Sequence, residues 1–153
     1  MPPQVAGVNL LYQILMKMFT VQQIKAVHAT VKSGADFPRY VQEIKTLGLV
    51  TYEFMVGDGR TIYFGADNYR VEAPPIYPVK QINTTASAQR LENNIHIHQK
   101  GQTDFLTFCA QAAEAGVRNW EINTQTMLCT YYDLKGQAIV AEPIPQGDYV
   151  TQS

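Results

Sequence analysis

The sequence predicts an α+β fold in which a unit of two helices and three antiparallel strands is written twice and packed about a pseudo-twofold axis. Three observations predict it. First, the chain matches itself at an offset of 68 residues, which places Asp36-Phe37 on Asp104-Phe105, Gly48 on Gly116, Glu53 on Glu121, Tyr63 on Tyr131, and His28 and Lys32 on His96 and Lys100. Second, apolar residues recur at helical spacing between cap and stop signals in both copies. Third, each second helix is followed by segments of period-2 alternation bounded by turn residues.

Taken in order, Thr20-Val21-Gln22-Gln23 forms a capping box, with Phe19 and Ile24 placed to make the hydrophobic staple around it. Val21, Ile24, Val27 and Val31 then follow at helical spacing, so the first helix is expected over residues 20–33, ended by Gly34. Asp36 is the expected cap of the second helix, whose stripe is Phe37, Tyr40, Val41, Ile44 and Leu47 and whose stop is Gly48. Val50, Tyr52, Phe54 and Val56 alternate with polar neighbours up to the Gly57-Asp58-Gly59 turn. Residues 60–64 and 69–73 supply two further strands.

The second copy repeats this plan. Residues 87–99 read as its first helix, and Thr103 or Asp104 caps a second one carrying Phe105, Phe108, Cys109, Ala112 and Ala115 up to Gly116. Strands are expected over 117–123, 127–132 and 137–142. Pro74, Pro75 and Pro78 separate the copies, and Pro143 and Pro145 end the second. The repeats thus span 19–75 and 85–145 within one domain of 18–153, while residues 1–17 are expected to be a dispensable N-terminal extension. Whether the two sheets join edge to edge or face each other stays open.

A chain of 153 residues with 46% apolar content suffices for one core without disulfides or metals. The formal net charge is −1 and the 12 basic residues are scattered, so the basic stripe that a phosphate backbone demands is missing and nucleic acid is not an expected partner. Residues 5–19 form the longest apolar stretch, yet Asn9, Gln13 and Lys17 interrupt it and no basic segment precedes it. Neither a signal peptide nor a membrane span is expected. Cys109 and Cys129 show no CxxC pairing, and reduced thiols in a cytoplasmic protein are the plain reading.

The run Gln99-x-Gly101-x-Thr103-Asp104-Phe105-x-Thr107-Phe108-Cys109, then Ala115-Gly116-Val117-x-x-Trp120, then Met127-x-Cys129-Thr130-Tyr131-Tyr132-Asp133 and Glu142-x-Ile144-Pro145, resembles the YdfO-like family of uncharacterised bacterial proteins. Ser33-Gly34-Ala35-Asp36-Phe37 and Tyr63-Phe64-Gly65 extend the resemblance into the first copy, so that it covers about residues 18–146. The resemblance implies an α+β fold and a bacterial or prophage setting, and some members carry a phage envelope label. It implies no established activity.

Candidate chemistry is sparse. Cys109 lies on the buried stripe of its helix and reads as core, whereas Cys129, aligned with Thr61, reads first as strand packing and second as a reactive thiol. His96-Ile97-His98 invites a metal reading, but on a helix the two imidazoles point about 200° apart, and no metal site or cofactor is read. His96 and His28 are equivalent by offset, and either is a candidate base for Cys129. Tyr63, Tyr131 and Trp120 are candidate ligand contacts, because amphipathic rings suit binding surfaces as well as cores. Asp133 is a turn residue and Glu53 and Glu121 are outward strand residues by pattern. The favoured reading is a small binding or regulatory module with a cleft at the junction of the copies, for a small molecule or a protein. The alternatives are a thiol-dependent enzyme using Cys129 and a structural homodimer.

Overall fold

The computed structural model of the chain describes residues 18–32 and 34–144. The expectations for residues 1–17 and for Pro145 lie outside them. Four α-helices and six strands make an antiparallel α+β fold. In chain order they are α1 Val21–His28, α2 Phe37–Thr46, β1 Leu49–Met55, β2 Thr61–Gly65, β3 Arg70–Ala73, α3 Ala88–Gln99, α4 Phe105–Glu114, β4 Asn119–Asn123, β5 Leu128–Tyr132 and β6 Ala138–Pro143.

The strands join edge to edge into one sheet of order β3-β2-β1-β4-β5-β6, which answers the open question about the sheets. Its order reads the same outward from the central β1–β4 pair. There Glu53 stands directly opposite Glu121, flanked by Tyr52 opposite Ile122 and Phe54 opposite Trp120. Two rows of four side chains cross the helix-facing side. One runs Tyr63, Tyr52, Ile122, Cys129 and the other Thr61, Phe54, Trp120, Tyr131. Moving each position by 68 residues exchanges the two rows.

Burial follows the period-2 pattern. Tyr52, Phe54, Tyr63, Trp120, Ile122, Cys129 and Tyr131 pack beneath the helices, which contribute Ile24, Tyr40, Val41, Ile44, Leu91, Ile95, Phe108 and Cys109 to the same core. Gly48 and Gly116 end α2 and α4 with φ of 102° and 91°. A Cβ at Gly116 would also lie 2.6 Å from the Ala86 Cα, so only glycine both reverses the chain there and lets the linker pass. That linker is held at both ends. The Ile76 and Tyr77 amides donate to the Asp58 carbonyl, and the Ser87 amide donates to that of Ala115.

Two local expectations are corrected. Helix α1 ends at His28 rather than at residue 33, because the groups beyond it find other partners. The Thr30 hydroxyl donates to the Val27 carbonyl at 2.7 Å, Arg39 Nη2 donates to the Thr30 carbonyl at 3.0 Å, and the Lys32 amide donates to Asp36 Oδ2 at 2.8 Å. Asp36 therefore turns back to Lys32 and makes no side-chain cap on α2, whereas Asp104 accepts from the Thr107 amide at 2.7 Å as a true cap of α4. The capping box at Thr20 and Gln23 forms in both directions, at 2.8 and 3.1 Å.

Candidate functional site

The helices do not close fully over the sheet. Between them lies a cavity of about 330 Å³, floored by β1, β2, β4 and β5 and walled by α1, α2, α3 and α4. Strand alternation alone selects its floor, since Tyr52, Phe54, Thr61, Tyr63, Trp120, Cys129 and Tyr131 all point to the helix side. Seven pairs of lining positions are 68 residues apart, among them Phe37 and Phe105, Tyr40 and Phe108, Tyr52 and Trp120, and Tyr63 and Tyr131.

Rings make most of the wall, and they are in mutual contact. Trp120 stacks on Phe54 at 4.5 Å and 22°, Phe105 meets Phe54 edge-on at 5.2 Å, and Phe108 and Tyr131 approach Trp120 at 5.5 and 5.6 Å. The other end of the cavity is phenolic. Tyr52 lies 6.5 Å from Tyr40 and 5.7 Å from Tyr63 between ring centroids.

The interior polar groups are neutral. Burial pushes the phenols of Tyr40, Tyr52 and Tyr131 well above the usual tyrosine range and raises that of Tyr63, whose hydroxyl lies near those of Thr61 and Tyr40. Burial also pushes the Cys129 thiol up to about 12, with the Tyr131 hydroxyl near it acting in the other direction. Charge is kept to the opening, where Lys25, Lys32 and Asp104 are exposed, Glu142 is half-buried and the Gln99 amide donates to Glu142 Oε2 at 3.4 Å. Two imidazoles stand at this opening. His28 packs edge-on against Tyr40 at 5.4 Å, and His98 stacks on Phe108 at 4.5 Å with Nδ1 3.0 Å from the Thr103 carbonyl. The same nitrogen lies 3.0 Å from the Thr103 hydroxyl, which can donate or accept. Partial burial lowers the pKa of both rings, and each is neutral at pH 7.

Of the residues singled out from sequence, Tyr63, Tyr131, Trp120, Cys129 and His28 all line the cavity, and His96 does not. His96 is exposed on α3, two residues and about 200° around the helix from His98. The equivalence of His28 with His96 fails in space because the caps of the two helices, Thr20 and Ser87, are 67 residues apart, as are their buried residues Ile24 and Leu91, so His28 corresponds in helix position to Ile95. The groups that influence the Cys129 thiol are Tyr131, Glu142 and Glu121, none of them an imidazole. Tyr40, Tyr52, Phe54, Phe105 and His98 are lining residues that sequence reasoning left in the core or in solvent. For Tyr52 and Phe54 strand alternation carried the signal, since Tyr52 is equivalent by offset to Trp120 and Phe54 shares its face. Among the described residues no group of three or more His, Cys, Asp or Glu side chains is placed to hold a metal ion, and no helix is long and apolar enough to cross a membrane.

A family model described as "Protein of unknown function (DUF1398)" matches residues 25–143. No curated protein matches the chain.

Proposed function

The chain belongs to that family of unknown function, and from its cavity we propose that it is a small ligand-binding module that holds its ligand between the helices and the central strands. The observation that carries this reading is the cavity itself. At about 330 Å³ it lies in the range that small-molecule sites occupy, it opens to solvent, and its wall combines rings with a few hydroxyl groups. Well-packed cores leave few voids larger than a water molecule, so an opening of this size, lined from all four helices and four central strands, calls for a use.

The cavity's position supports the duplication reading too. Lining residues fall in pairs 68 apart, and such pairs would meet around a pseudo-twofold axis through Glu53 and Glu121. The bacterial or prophage setting is part of the same proposal and rests on the resemblance noted above, while the cytoplasmic setting rests on the two free cysteines. The thiol-enzyme alternative is the weaker one. A thiol at about 12 leaves roughly one molecule in 10⁵ as thiolate at pH 7, far too little for a nucleophile without a base beside it.

Native mass spectrometry of the full chain against a library of small organic compounds tests the proposal. One-to-one adducts are expected with the wild type and are expected to be lost in Thr61→Phe, which fills the cavity floor, with an unchanged circular dichroism spectrum as the control for folding. Adducts that persist in the filled variant would place binding elsewhere and overturn the proposal.

A further inference from the structure

Resting on the ligand-binding reading, we infer that the cavity takes an uncharged aromatic molecule of one or two rings bearing an oxygen that hydrogen-bonds to the Tyr52 hydroxyl. Three observations converge on this class.

The first is size and wall. An apolar cavity of about 150 Å³ accommodates benzene, so about 330 Å³ has room for one ring with substituents or for two rings. Trp120 and Phe105 offer an edge and a face at 6.2 Å and 89° to each other, the two geometries in which a further ring packs.

The second is the distribution of charge. Every formally charged group lining the cavity belongs to the opening or the edge strand: Lys25, Lys32, Asp104 and Glu142. The interior holds phenols, a threonine and a thiol. A ligand that carried a charge to the floor would lose its hydration and find no counter-ion there, which costs several kcal/mol. Neutral molecules escape that cost.

The third is Tyr52. Its residue is 6% exposed and lines the cavity at the centre of the sheet, between Tyr63 and Ile122 in its row. The hydroxyls of its neighbours lie close to other polar groups, that of Tyr63 near Thr61 and Tyr40 and that of Tyr131 near Cys129. The hydroxyl of Tyr52 has no hydrogen-bond partner in the protein among the described residues. Tyr40, Tyr63 and Cys129 approach it only closely enough to disfavour its phenolate. Because the residue lines the cavity, its hydroxyl is free to bond a ligand there. A ligand oxygen reaching the floor satisfies it, and a hydrocarbon ligand does not.

Trp120 is the only tryptophan of the chain, so its fluorescence reports on the cavity directly. The experiment titrates the full chain and Tyr52→Phe with 4-bromophenol, bromobenzene and 4-bromobenzoate at pH 7, using heavy-atom quenching of Trp120. We expect saturable quenching by 4-bromophenol and bromobenzene, with 4-bromobenzoate at least tenfold weaker than 4-bromophenol. We also expect the ratio of 4-bromophenol to bromobenzene affinity to fall roughly tenfold in Tyr52→Phe, the value of one hydrogen bond. Saturable quenching by 4-bromobenzoate at equal or higher affinity overturns the ligand class and leaves the binding reading standing. An affinity ratio unchanged by Tyr52→Phe overturns the role of Tyr52. Should that variant not fold, the wild-type order of the three compounds still decides the class. Saturation by none of the three, alongside adducts of other compounds in mass spectrometry, overturns this inference alone.

Discussion

Cys129 shows how position decides chemistry for a single residue. Its thiol lies on the cavity floor, where a nucleophile would be useful, yet it is 5% exposed and burial pushes it up to about 12. A thiolate needs a cationic or strongly donating neighbour to form near neutrality, and the carboxylates of Glu142 and Glu121 act in the opposite direction. Alkylation by iodoacetamide at pH 7 should therefore run roughly a thousandfold slower in the native protein than in the urea-unfolded chain. Rapid stoichiometric labelling of native Cys129, lost in His28→Ala, would restore the thiol-enzyme reading. Cys109 makes the comparison internal to the molecule, since it too is buried and its thiol is also pushed up to about 12.

At the scale of elements, the central β1–β4 pair carries a built-in tension. Glu53 and Glu121 face each other on the outer side of the sheet, where like charges directly opposite destabilise a pair. The Asn119 side chain eases this by donating to Glu53 Oε1 at 3.0 Å. Glu121 has its pKa raised, first by partial burial and then by Glu53. A carboxyl with a raised folded pKa prefers its protonated form in the fold. Its contribution is thus most favourable at low pH and is lost as pH rises from the unfolded pKa through the folded one. Glu121→Gln should remove that loss, raising the unfolding free energy at pH 7 by a few tenths of a kcal/mol and flattening its pH dependence above the ordinary carboxylate range. Chemical denaturation at several pH values checks this, and lower stability of the variant at pH 7 would mean that Glu121 makes a favourable contact.

For the molecule as a whole, the elements were largely legible because their signals are local. Capping residues, helical stripes, period-2 alternation and the Asp133 turn, in which the Lys135 and Gln137 amides donate to Asp133 Oδ1 at 2.9 Å, each act within a few residues. The C-terminal end of α1 was not legible, because it depends on Arg39 and Asp36 reaching back across a loop. The edge-to-edge joining of β1 to β4 was hidden for a similar reason, since either edge could have been left open by pattern alone.

The site was half legible. Offset matching and strand alternation singled out Tyr63, Tyr131, Trp120 and Cys129, whereas His98 replaced His96 because Leu91 and Ile95 set the inward face of α3, and His98, three residues after Ile95, shares it. Cavities are a property of how layers fail to close, and no run of residues encodes that by itself.

The central claim is that this cavity is where the molecule meets its ligand, and two-dimensional amide NMR of the full chain under titration with 4-bromophenol tests it most directly. The account predicts concentration-dependent shifts gathered on the cavity-lining residues, with Tyr52, Tyr63, Trp120 and Tyr131 among the largest. Shifts confined to the opposite face of the sheet, around Glu53, Glu121 and Thr130, would contradict it.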